Sequence, residues 1–102
     1  MRVTRIFTAS KDGWKPEDFH RHCDGRGPTL CLIRSSDNYL GAGFTSISWS
    51  SPKESECNEG EDGVDVEDPS AMVFALTNDP QVFKTKNPEQ AVYHTRNSGP
   101  CW

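Results

Sequence analysis

Thr29-Leu30-Cys31-Leu32-Ile33-Arg34, then the polar break Ser35-Ser36-Asp37-Asn38, then Tyr39 to Trp49: this stretch decides the fold class of the 102-residue chain. The first run is continuously apolar up to Arg34 and is preceded by Gly27-Pro28. A run of that length between turn residues reads as a strand covered on both faces, and so as a central strand. The second run returns beside it, with Leu40, Ala42 and Phe44 on one face and Gly41, Gly43, Thr45, Ile47 and Trp49 on the other. The two runs make a hairpin. Two glycines on one strand face leave bare backbone for an aromatic ring to pack on, and Trp14 or Trp49 is the expected filler.

Downstream, Ala71-Met72-Val73-Phe74-Ala75-Leu76-Thr77 is the strongest apolar run, begun by Asp68-Pro69-Ser70, and reads as a second central strand. Asn78-Asp79-Pro80 and Lys86-Asn87-Pro88 then turn the chain into two short edge strands, Gln81-Val82-Phe83-Lys84 and Ala91-Val92-Tyr93-His94. Upstream, Ser10-Lys11-Asp12-Gly13 is a turn, and Pro16 suits the first position of a helix running to Cys23. Lys15 is its expected cap, Trp14 and Phe19 its hydrophobic staple, and Gly25 its stop. Phe19 and Cys23, four residues apart, share the face that docks on the sheet. The residues alone predict an α+β domain, mainly antiparallel β-sheet, with one short N-terminal helix.

Composition bounds the rest. At 33% hydrophobic residues, with only 18 Leu, Ile, Val and Phe, the chain has enough for one small domain with a thin core. Ten per cent aromatics and a net charge of only −4 argue against complete disorder. That charge is uneven, because eight carboxylates fall between Glu54 and Asp68 with no base among them. Residues 54–68 therefore read as a mobile acidic loop within a single domain over 1–102, and Glu59, Glu61, Asp62 and Asp65 are a candidate partner surface. Asp62 to Asp68 lacks the ligand spacing of a calcium loop, and no metal is expected there. The scattered bases offer no patch for nucleic acid. Met1 to Ser10 has no apolar signal core, and no stretch reaches the 18 apolar residues of a membrane span, so a cytoplasmic address with reduced thiols is expected.

The densest set of potential ligands is His20-Arg21-His22-Cys23 with Cys31, but it lacks the paired close cysteine spacings of a zinc site. Cys23 with nearby His20 offers a thiol-based redox reading, against which stands the packing of Cys23 under the sheet. Gly25-Arg26-Gly27-Pro28 follows a helix and leads into a strand, so it is a connection and not a phosphate loop. No nucleophile elbow, zinc-protease or dinucleotide motif occurs, and neither catalytic residues nor a cofactor are expected.

Seven blocks in register resemble one family. They are Ser10-Lys11-Asp12-Gly13-Trp14; Asp18-Phe19-His20; Cys23 through Leu30 with Leu32-Ile33-Arg34; Gly43-Phe44-Thr45-Ser46-Ile47-Ser48-Trp49-Ser50; Asp68-Pro69-Ser70-Ala71 with Val73 through Asn78; Gln90 through His94; and Gly99-Pro100. Together they resemble the N-terminal part of the TLDc domain, as found in oxidation-resistance proteins. The resemblance implies an antiparallel two-sheet sandwich that acts by binding a protein partner, with a role in oxidative stress resistance through a peripheral subunit of the vacuolar proton-pumping ATPase. It carries no active-site residues. Its signature positions, Asp12, Gly13, Phe19, His20, Cys23, Asp24, Gly25, Gly27, Thr29, Gly43, Thr45, Trp49, Pro69 and Ser70, are expected to be structural, with His20 donating to a loop carbonyl or carboxylate. Because the family's later strands are absent, a fragment that does not function alone is the remaining alternative.

Overall fold

The computed structural model describes residues 2–102. Where Ser10–Gly13 reads as a turn, the chain makes a short helix, α1 (Ala9–Asp12), closed by the Asp12 amide on the Thr8 carbonyl, and it precedes α2 (Pro16–Cys23). Six strands follow: β1 (Thr29–Arg34), β2 (Leu40–Thr45), β3 (Gly63–Val66), β4 (Met72–Ala75), β5 (Gln81–Lys84) and β6 (Val92–Thr95). They form two antiparallel sheets, one of order β1-β2-β4-β5 and one pairing β3 with β6. The α+β class, the antiparallel strands, the two sheets and the early helix are as the sequence implies.

Helix α2 begins where Pro16 requires no N–H partner, and the Lys15 amide donates to the Asp18 carboxylate at 3.2 Å. It ends at Asp24 because Gly25 adopts φ 71°, from which its amide turns to the Trp49 carbonyl at 3.0 Å. The hydrophobic staple does not form, since Trp14 is 82% exposed. Phe19 and Cys23 instead point inward together and join Trp49, Ala71, Ala91 and Val92 in the core.

β1 is an edge strand rather than a central one, with only β2 beside it. Leu30, Leu32 and Ile33 are more than half exposed. An apolar run records which faces a strand presents to apolar surroundings, and says nothing about whether a neighbour pairs on both edges. The Ala71–Thr77 run does hold a central strand, β4, between β2 and β5. The return strand is shorter than Tyr39–Trp49: β2 stops at Thr45, and Trp49 comes back only as a lone parallel bridge to Asp24. The acidic stretch is not loop throughout. It contains a 3₁₀ turn at Glu54–Glu56 and strand β3, and it ends on Asp68, which is wholly buried.

Registers place Leu30, Leu32 and Arg34 of β1 on the same face as Leu40, Ala42 and Phe44 of β2, Met72 and Phe74 of β4, and Val82 and Lys84 of β5. On the other face Cys31 and Gly43 meet the core, where Trp102 lies on the bare backbone of Gly43, while Ile33, Val73 and Phe83 of that face stay exposed. The ring over the glycines is therefore neither Trp14 nor Trp49. The indole N–H of Trp102 donates to the Phe44 carbonyl at 2.9 Å, anchoring it on β2. A methyl group at Gly43 would sit 2.8 Å from three Trp102 ring atoms. Gly43→Ala is accordingly expected to displace that ring and cost about 1–3 kcal/mol, read as a lower urea midpoint with an altered Trp fluorescence maximum.

Candidate functional site

Two polar arrangements stand out, one holding the frame together and one facing solvent. In the first, His20 projects from α2 with its ring 7% exposed. Its Nδ1 meets Asp24 Oδ1 at 2.7 Å and its Nε2 meets the Ser98 carbonyl at 2.7 Å. Both partners are acceptors, so both ring nitrogens are occupied in holding the helix to the last turn of the chain. Asp24 Oδ2 also accepts from the Ser51 hydroxyl. The expected loop carbonyl and carboxylate are both present, and His20 turns neither nitrogen toward Cys23.

Several of the signature residues make hydrogen bonds within the fold. Asp12 accepts from the Thr8 amide at 2.8 Å, and Gly27 donates to Ser48 Oγ at 2.8 Å. The Trp49 indole N–H donates to Thr29 Oγ1 at 2.8 Å. Thr45 Oγ1 and Ser70 Oγ both donate to Asp68. Asp68 takes two further bonds from the amide and hydroxyl of Ser46 and one from the Ser70 amide. Burial works to raise its pKa, but these donors overcome burial and hold the carboxyl down at about 2. Composition places Asp68 with the solvated acids because it cannot distinguish a carboxylate facing water from one facing amides. The local signal was Asp-Pro-Ser opening a strand, a side chain that folds back on its own turn.

His94 is another residue that pattern reading passed over. It is 2% exposed, lies against the Trp49 ring with centroids 5.1 Å apart, and pairs through Nδ1 with Ser50 Oγ at 2.8 Å. Its Nε2 is buried with no partner. Burial pushes its pKa below the usual 6.5, as does His20, while Asp24 acts the other way. The unfolded chain then binds the proton more readily than the folded one, so stability is full above about pH 6.5 and falls as the pH drops through the lowered value. A thermal midpoint lower near pH 5 than near pH 7, with the difference reduced in His94→Gln, is the expected result.

Burial first, then Asp24, pushes Cys23 up to about 11, and burial likewise pushes Cys31 up to about 11. All four cysteines are free. Among the described residues, no group of three or more His, Cys, Asp or Glu is placed to hold a metal ion.

The solvent-facing arrangement is an open acidic cleft of about 610 Å³. Glu54, Glu59, Glu61 and Asp62 line it, with Cys57 and Tyr93. Three of the four candidate partner residues thus meet in one cleft. The fourth, Asp65, stands on β3 directly across from Tyr93 of β6. Tyr93 Oη donates to Asp62 at 2.9 Å, and Asn97 adds a second bond. These bonds hold the Asp62 carboxyl below its usual range and, with Tyr93 as the donor, push the phenol up to about 12. At the floor of the cleft Tyr93 of β6 and Asn97 just beyond it thus both bond to Asp62.

A family model described as the TLDc domain matches residues 1–101. Comparison with curated proteins and comparison with solved structures each give no match. Among the described residues no helix is long and apolar enough to cross a membrane.

Proposed function

Since the chain belongs to the TLDc domain family, we propose that it works as a non-catalytic protein-interaction module whose docking surface is the acidic cleft lined by Glu59, Glu61 and Asp62, together with Asp65 across from Tyr93. The family match along 1–101 carries this reading. The non-catalytic part is supported by His20, whose two ring nitrogens are engaged by Asp24 and Ser98, and by the buried, raised thiol of Cys23. The partner is a protein with a basic segment, for which the resemblance points to a peripheral subunit of the vacuolar proton-pumping ATPase, with a role in oxidative stress resistance. Such a partner places the chain in the cytoplasm.

The test is a pull-down of purified peripheral subunits by the chain and by the triple variant Glu59→Gln, Glu61→Gln, Asp65→Asn. Those three side chains are exposed and make few internal bonds, so the variant keeps the fold. Capture that weakens about tenfold in the variant and loses most of its salt dependence is expected, because charges at an interface act chiefly through complementarity and screening. Equal capture by both proteins would remove the cleft from the account.

A further inference from the structure

The turn that follows β6 is tied on two sides. On one side Thr95 Oγ1 donates to the Asp62 carbonyl at 2.7 Å and Asn97 Nδ2 to the Asp62 carboxylate at 3.4 Å, so the turn bonds to the floor of the acidic cleft. The Asn97 amide closes back on Thr95 Oγ1 at 3.2 Å. On the other side the next residue, Ser98, turns its carbonyl to His20 Nε2 at 2.7 Å. His20 and the cleft therefore share one turn.

The His20 ring meets two acceptors and no donor, the Asp24 carboxylate at Nδ1 and the Ser98 carbonyl at Nε2, both at 2.7 Å. A neutral imidazole carries one N–H, so it serves one of them and turns a lone pair on the other. Both contacts are hydrogen bonds only while both nitrogens carry hydrogen. The surrounding groups do not replace the missing donor. Ser51 donates to the other oxygen of Asp24. His94 of β6, whose charge balance feels both Asp24 and His20, meets Ser50 through Nδ1, and its Nε2 has no partner. On α2, Arg21 faces Asp18 and His22 faces Asp12. The Cys23 thiol, pushed up to about 11, stays uncharged beside Arg26 and Asp12.

We infer that His20 is a proton-dependent clasp on the candidate docking cleft. With hydrogen on both ring nitrogens it ties α2 to the turn at Ser98. As the pH rises one proton leaves to solvent. The hydrogen that remains stays on Nδ1, because a bond to a carboxylate is the stronger of the two. Nε2 then presents a lone pair to the Ser98 carbonyl, the turn moves off, and Asn97 carries the change to Asp62. As a control of partner binding, this clasp rests on the cleft being the docking surface proposed above.

The test is a titration of the isotope-labelled 102-residue chain from about pH 5.5 to 8.5, the span in which histidine rings change charge. It is read at the ring nitrogens of all three histidines and at the backbone amides. Expected is a His20 ring with hydrogen on both nitrogens at the acid end and on Nδ1 alone at the alkaline end. Amide shifts at Asn97, Ser98 and Asp62 are expected to share its midpoint. In His20→Gln, whose side chain does not titrate, those three amides are expected to lose their common pH dependence. Asn97→Ala, at an exposed position, is expected to keep the Ser98 shift and to reduce that at Asp62 about twofold. Amides of Asn97 and Ser98 that stay flat over this range, that follow the ring of His22 or His94 instead, or that keep their dependence in His20→Gln would overturn the inference. No partner is present in this titration, so its result stands apart from the pull-down, whose failure would count against the cleft as a docking surface and not against the clasp.

Discussion

Trp49→Ala is expected to leave the chain largely unfolded at room temperature. Trp49 is 1% exposed and sits where every part of the core meets. Its ring packs edge-on against Phe19 from α2 at 5.7 Å and against Trp102 from the chain end at 5.1 Å, and it lies against His94 from β6. Its N–H also satisfies Thr29 at the start of β1. Truncating a buried tryptophan costs about 3–5 kcal/mol in lost transfer energy and cavity formation. A domain of this length has roughly 5–15 kcal/mol to lose, and a thin core puts it toward the lower end. Loss of the near-ultraviolet circular dichroism signal at 25 °C, with no cooperative melt, is the readout. Trp49→Phe keeps most of the ring packing and loses only the bond to Thr29, so it is expected to fold with a lower midpoint. An alanine variant that melts like the unsubstituted chain would mean that the three elements are not held through this ring.

The second large effect is at Asp68, which is fully buried and ties β2 to the turn entering β4. Asp68→Ala leaves the Thr45 and Ser46 hydroxyls and the Ser46 and Ser70 amides without their acceptor, at a cost of about 3 kcal/mol. The same carboxylate makes stability depend on pH. Its folded pKa of about 2 lies under the ordinary 3.8, so the stability it supplies is complete above about pH 4 and is lost as the pH falls through 2. Integrated over that interval the contribution is roughly 2 kcal/mol. Urea unfolding at a series of pH values from 5 down to 2.5 is expected to show this decline in the unsubstituted chain and a flatter profile in Asp68→Ala. Parallel profiles would assign the acid sensitivity to other groups.

What the residues disclosed and what they hid divide along a physical line. Local signals were legible. Pro16 and Gly25 bracket α2, and polar breaks separate β1 from β2 and β4 from β5. Those breaks contain Asn38 and Asn78, both at φ 64°. Relations between distant residues were not legible. No pattern in Thr29–Arg34 reveals that β1 has one neighbour, and none near Gly43 points 59 positions ahead to Trp102. β3 had a signal that its surroundings masked, because Val64 and Val66 alternate with Asp65 in the period of a strand while the charge around them reads as loop. For the candidate surface, charge density alone found the acids. The placement of Tyr93 and Asn97 under Asp62 needed the pairing of β3 with β6.

Where a partner touches the chain decides between an interaction surface and thiol chemistry. The most direct measurement is the heteronuclear amide spectrum of the 102-residue protein alone and with purified peripheral subunits of the vacuolar proton pump. A dispersed spectrum is predicted, with shifts or broadening at Glu59, Glu61, Asp65 and Tyr93 and none around Cys23. A spectrum unchanged by the subunits, or one in which the changes centre on Cys23 and His20, would contradict it, and the latter would return the thiol chemistry to first place.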